Sequence, residues 1–466
     1  MANQDFTPFI NNNLQTTSAA TLDANISTKA KDMSVVFKQQ LENLTSAPQK
    51  IYIRLPLDLK VNAIKVNEVP LKIKFADKSS FMARVYDLLE VDLPAERNIQ
   101  LKLAYGGFPK DLNLIMNFSS GISKDYVSFS KNKFLPNLLI DKKFSPVKGV
   151  VRVDANLTIV TTGKKNKKLS NNEDGTTSWS YSDDQMEEFS LCAAKYKNML
   201  ENINGMDIEF YYPHDQEKNF HAKFNDIKTV FNFFVGQLGP LDLNANPLKI
   251  VLTSGVTKIN SGDSCVNLLN CNEESFSRDE KAIKNKTKKE REFEAILPFI
   301  NSLATLWWDK VNISNQDKTN IHRLDDELII NNSVRRNWTS EAFVGYSYYA
   351  IMKEKFGEKI ANKSLLRNFE ERANSVKKNF YIRNPKYLEK LSKIQQHFAL
   401  IDLYGAKTSD VPVSEICQIS NKLGSKIFSE RLKKIYQYYQ KNPDQTLTFA
   451  DFLNGMGVDK EAFINE

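Results

Sequence analysis

Histidine is scarce in this chain. Only four occur in 466 residues, His214, His221, His322 and His397, and no two are spaced four apart. That excludes the His-Glu-x-x-His pattern, in which two imidazoles one helical turn apart hold zinc and the glutamate activates a bound water. All four read as surface or packing residues. Cysteine is as rare: Cys192, Cys265, Cys271 and Cys417 are too few for a disulfide scaffold in a chain of this length. Cys265 and Cys271 are near enough to bridge in an oxidising compartment, but spacing does not decide between a bridge and two separate thiols. No apolar run approaches the ~20 residues that span a bilayer. A basic-then-apolar secretory pattern is missing at the start. Both a cytoplasmic protein and an exported one with its signal trimmed fit that absence.

Charge of one sign is also lacking. The chain has 64 basic and 56 acidic residues, a net charge of +8, with the signs interspersed. Nucleic-acid binders gather their excess on one face, so no nucleic acid is expected as a partner. The Lys164–Lys168 cluster has no aromatics interleaved and reads as a solvated hairpin tip. The charged stretch 278–292 reads as a solvated helix. An anionic-surface or nucleic-acid binder would have to use these two segments.

What is present is ordinary for a globular protein, with 41% apolar and 11% aromatic residues. Residues 1–48 are rich in Asn, Thr, Ser and Ala and read as a flexible lead-in, with a short helix near Val35–Leu44. From Ile51 the pattern alternates. Ile51–Leu55, Ala63–Val66, Leu71–Phe75, Val85–Leu93, Ile99–Leu103, Val150–Val153 and Leu157–Val160 are expected strands separated by turns. A polar hairpin over 163–175 leads into Thr177–Tyr181. This predicts an antiparallel β-sandwich over 49–206. From about Phe220 the spacing turns helical. Ala222–Leu238 ends at the breaker pair Gly239-Pro240, Leu248–Leu252 is a buried strand, and Phe293–Trp308, Trp338–Phe356, Gln418–Gln440 and Phe449–Leu453 are expected helices. Strands in front and helices behind predict an α+β architecture, with residues 207–466 as the α-rich domain.

Two pieces of the helical half carry a resemblance. Asn301-Ser302-Leu303-Ala304-Thr305-Leu306-Trp307-Trp308 is followed by Trp338-Thr339-Ser340-Glu341-Ala342-Phe343-Val344. In order and context the chain resembles the M1 (gluzincin) zinc aminopeptidases over about residues 50–460. There the first helix reads His-Glu-x-x-His-x-Trp-Trp/Phe and the second Trp-x-Asn-Glu-Gly-Phe-Ala. Trp307, Trp308, Trp338, Glu341 and Phe343 match. The zinc histidines are replaced by Asn301 and Thr305, and the general-base glutamate by Ser302. Of the ligand positions only Glu341 keeps its residue, and it stands farther from Thr305 than in the family, so an insertion separates the helices. Asp174–Trp179 resembles the family's hairpin late in the β-domain.

Gly262–Asn267 falls where the substrate-binding Gly-x-Met-Glu-Asn strand belongs, with Val266 in place of the amine-binding glutamate. Leu423–Phe428 resembles the helix end after the catalytic tyrosine, whose own position falls on Ser409; Tyr404 is the nearest tyrosine.

The resemblance therefore implies a thermolysin-like second domain with an emptied site. Neutral Asn and Thr oxygens are poor zinc ligands, one carboxylate does not hold zinc against water, and no base remains to activate it. No metal or cofactor is expected, and Glu341 is expected to be buried or half-buried and hydrogen-bonded. The expected function is that of a pseudoenzyme, binding a peptide or protein partner along Gly262, Cys265, Val266, Asn267 and Tyr404, or serving as a scaffold. The alternative is an active zinc peptidase with ligands elsewhere.

Overall fold

The computed structural model describes residues 9–459, apart from 57–58, 77–85, 108–120, 130–133, 143–145, 185–188, 244–245, 254–262, 266, 273–286, 314–337, 339, 393–394, 397–398 and 400–409. The front half is β-structure. Its largest sheet is centred on the long strand Asp32–Asn43, paired antiparallel with Ala20–Ser27 and with Asn98–Gly107. Gln49–Pro56 and Tyr86–Leu93 lie at the middle of a second sheet. Tyr126–Phe129, Leu191–Ala194 and Thr158–Thr161 form most of a third. Alternation is visible in the burial: Met33, Val35, Phe37 and Leu41 point inward and their neighbours outward, as a half-buried strand requires. The pairing is not wholly antiparallel. Val147–Asp154 runs parallel to Ala20–Ser27, and Ile140–Lys142 parallel to Asn11–Thr16.

These strands correct the reading of residues 1–48 as a flexible lead-in with a helix near Val35–Leu44. Asn11–Thr16, Ala20–Ser27 and Asp32–Asn43 are built into the main sheet. The composition is polar because each strand turns one face to water. The apolar face is thin but regular: Ala20, Leu22, Ala24 and Ile26 are all buried.

The sandwich core closes at Ala193. The next hairpin, Tyr196–Ile203 with Met206–Pro213, packs instead with the helices, as Ile203, Met206, Ile208 and Phe210 share their core. The second body therefore begins before the boundary at 206/207. A local antiparallel pair looks alike on either side of a domain boundary, and only its packing assigns it. This hairpin joins Leu248–Thr253, Leu268–Asn272 and the terminal strand Asp263–Cys265 in a five-stranded sheet.

Against it stand α1 (Glu217–Leu238) and α2 (Lys288–Trp308), and on these helices and each other pack α3 (Ser340–Phe356), α4 (Arg367–Lys378), α5 (Val411–Leu423), α6 (Ser425–Lys441) and α7 (Phe449–Met456), all contributing to one core. The expected helix Gln418–Gln440 is thus two. Gly424 sits at φ 80° between them, a conformation open to glycine that ends one helix and lets the next restart. Most of the expected charged helix over 278–292 lies outside the described residues.

One buried cation joins the two halves. Lys249, on a central strand of the five-stranded sheet, is fully buried. Its Nζ donates to the carbonyls of Thr161 (2.8 Å), Gly163 (2.9 Å) and Lys164 (2.9 Å) at the base of the 163–175 hairpin. Burial pulls its pKa down to about 8, opposed by the nearby Glu209 and Asp183 carboxylates, so it stays protonated at neutral pH. Lys249→Met should leave three carbonyls without their donor and destabilise the protein by about 3 kcal/mol; chemical denaturation of the variant beside wild type measures the loss.

Candidate functional site

The two motif helices are held together by aromatic rings. Trp308 on α2 lies over Phe343 on α3, with centroids 4.0 Å apart and planes 21° apart. Tyr436 on α6 meets the edge of Trp308 at 5.3 Å, and its hydroxyl donates to the carbonyl of Trp307. Trp307 stacks on Phe234 of α1 at 5.2 Å and its Nε1 donates to the carbonyl of Gly239. Trp338, just ahead of α3, packs against Phe343, Phe449 and Phe452 and donates its Nε1 to the carbonyl of Leu447. All three tryptophans are at most 1% exposed. The residues that carry the resemblance, Glu341 apart, are therefore the packing that sets α2 against α3.

On this frame the replaced positions have local partners. Asn301 and Thr305 lie one turn apart on α2, both half-buried. Thr305 turns its hydroxyl back to the carbonyl of Asn301 at 2.9 Å. The side-chain oxygen of Asn301 accepts a hydrogen bond from the phenol of Tyr348 on α3. Ser302, at the general-base position, is 1% exposed. Glu341 departs from expectation: it is exposed rather than buried. It stands in the first turn of α3, where a carboxylate is favoured by the partial positive charge of the helix N-terminus. Its charge reaches Tyr348, whose phenol is held well above its usual pKa, mainly by burial and secondarily by Glu341.

Tyr348 was not singled out from sequence. The available signal was spacing, since it follows Glu341 by two helical turns and so shares its face. Asn301 and Thr305 offer neutral oxygens already engaged within the protein, and Glu341 stands out in solvent. This donor set does not fit zinc, which takes imidazole nitrogen, thiolate sulfur or converging carboxylates. Among the described residues no group of three or more His, Cys, Asp or Glu side chains is gathered to hold a metal. His214 and His221 are both exposed, and His221 packs its ring beside Tyr212 and Phe220. His322 and His397 lie outside the described residues.

The expected peptide groove is only partly within view. Gly262, Val266, Tyr404 and Ser409 lie outside the described residues. Cys265 ends the terminal strand of the five-stranded sheet, though its side chain is not described; Cys271 is buried, and burial pushes its thiol pKa up. Asn267 is turned into the protein. It is fully buried, its Oδ1 accepts from the amide of Gly163, and its Nδ2 donates to the carbonyls of Gly163 and Pro247. Its role is to fasten the 163–175 hairpin, beside Lys249. In that hairpin Lys165 pairs with the buried Glu209 at 3.3 Å. Asp174 caps the turn by accepting from the hydroxyl and the amide of Thr176, which holds its pKa low.

No protein-family profile matches the chain, and a search of curated proteins finds no match either. Solved structures do match. The M1 zinc metallopeptidase of Deinococcus radiodurans superposes with a TM-score of 0.52 at 12% identity, covering 96% of this chain and 92% of the other. A mutant of that enzyme bound to a Tyr-Ser-Ala substrate gives 0.52 at 11% identity, with 95% and 90% covered. A two-domain M1 zinc metallopeptidase mutant bound to L-tryptophan gives 0.53 at 11% identity, with 96% and 91% covered. The sandwich, the five-stranded sheet and the helices packed on it together make the α+β fold of the two-domain M1 metallopeptidases.

Proposed function

We propose that this chain is a non-catalytic protein of M1 peptidase fold that works by binding a peptide or protein segment. The observation that carries the reading is the Tyr348–Asn301 hydrogen bond. At the position of the first zinc histidine stands a neutral side chain whose oxygen is already satisfied from the facing helix. Ser302, buried in the place of the general base, has no carboxylate to take a proton from water. Hydrolysis would need the metal, the base and the amine anchor restored together.

Binding needs none of them. The strand Asp263–Cys265 pairs with Leu268–Asn272 and is the last of the sheet among the described residues. Its outer edge suits an extended peptide added as a further strand, with main-chain hydrogen bonds supplying affinity.

Purified protein supplemented with zinc should carry no stoichiometric metal by elemental analysis and should leave a Tyr-Ser-Ala peptide intact. Stoichiometric zinc that is lost in Glu341→Ala, with peptide cleavage, would overturn the reading. Tyr348→Phe tests the filled site separately. Removing the phenol hydroxyl should cost about 1 kcal/mol of stability, read from denaturation midpoints, because Asn301 loses its donor in a half-buried site. A variant as stable as wild type would show that the hydrogen bond contributes nothing.

A further inference from the structure

Two large aromatic side chains stand side by side in solvent just after α4. Phe380 is 55% exposed and Tyr387 54%, and their ring centroids are 5.4 Å apart. Apolar groups exposed singly are ordinary on a protein surface, whereas contiguous exposed apolar groups are the material of interaction surfaces. The backbone beneath them is rigid. Asn379 caps the one-turn helix Phe380–Arg383, its side chain accepting from the amides of Tyr381 and Ile382. Pro385 opens the next turn, Pro385–Leu388. Tyr381, Ile382 and Leu388 pack inward with Val376. The two outward rings are therefore displayed by a braced hairpin, not by a collapsed loop.

Four cations are carried by the same short segment, and one of them, Lys390, lies 5.4 Å from the Tyr387 ring centroid. Lys378, Arg383, Lys386 and Lys390 are all exposed, and none forms an ion pair among the described residues. The single acid from 378 to 390 is Glu389. On the adjoining elements Glu371 is paired with Arg367 and Asp410 with Arg372, and Glu370 is the other acid of α4.

We propose that this hairpin docks on an anionic membrane surface. Phe380 and Tyr387 enter the headgroup layer, and the four cations pair with acidic headgroups. Ring geometry favours a membrane over a single-stranded nucleic acid. A base needs an open, flat ring face to stack on. Here Phe380 and Tyr387 cover part of each other at a 51° tilt, and the Lys390 ammonium sits 5.4 Å from the Tyr387 ring centroid. A tilted, exposed pair on a segment rich in lysine and arginine instead resembles an interfacial wedge, apolar at the tip and charged beside it. The proposal does not depend on the state of the metal site.

The test is co-sedimentation of the full chain with phosphatidylcholine vesicles, with and without about 30% phosphatidylserine. Binding should require phosphatidylserine and weaken as salt is raised. It should fall by about tenfold or more in Phe380→Ala/Tyr387→Ala and in Lys386→Glu/Lys390→Glu. Both pairs are solvent-facing, so the variants should keep the wild-type melting transition. Absence of vesicle binding, equal binding to neutral vesicles, or unchanged binding by both variants would each overturn the proposal. So would retention of a single-stranded oligonucleotide by a protein that ignores the vesicles.

Discussion

The Trp308–Phe343 stack is the contact on which the helical half depends. Two rings at 4.0 Å fix the spacing of α2 and α3, and each ring is gripped again from outside, Trp308 by Tyr436 and Phe343 by Trp338 and Phe452. Aromatic side chains bury more area than any others, and their preferred geometries are few. A cluster of them therefore specifies helix placement tightly while asking nothing of the polar residues nearby. That separation explains how the replaced positions Asn301, Ser302 and Thr305 sit on helices arranged as in a metallopeptidase.

The polar residues then follow rules of their own. Two facing helices that hold a metal aim their ligands at a shared point. Here the same faces meet by a phenol donating to an amide oxygen, and a threonine satisfies itself on its own helix. Each is a local solution to burying a polar group, which otherwise costs free energy. Glu341 stands in water at a helix start. The glutamate and the tryptophans thus answer to different constraints, one electrostatic and one steric.

What could be read from the residues divides along the same line. The breaker pair at Gly239-Pro240, the apolar strand at Leu248 and the tryptophan-bearing helices were legible, because periodicity and bulk are local properties of sequence. The first three strands were not, since Ala20–Ser27 and Asp32–Asn43 bury small or sparse apolar residues on one face and the Asn and Thr content masks the alternation. The hairpin from Tyr196 was assigned to the wrong core because strand pairing does not reveal which layer it packs on. Asn267 was placed in a groove by analogy of position, yet its three hydrogen bonds go to the protein itself. Spacing puts Tyr348 on the face of Glu341 but does not show its bond to Asn301, which lies on another helix.

The Lys249–Asn267 knot bears on how the two halves can move. Three carbonyls converge on one ammonium in a site closed to water, and an amide beside them clasps the same hairpin. Moving one half against the other would break several of these bonds at once, and with them the packing of Val160 and Cys192 on Tyr211, Val251 and Leu268. The junction therefore resists relative movement of the halves by directional bonds and by packing together.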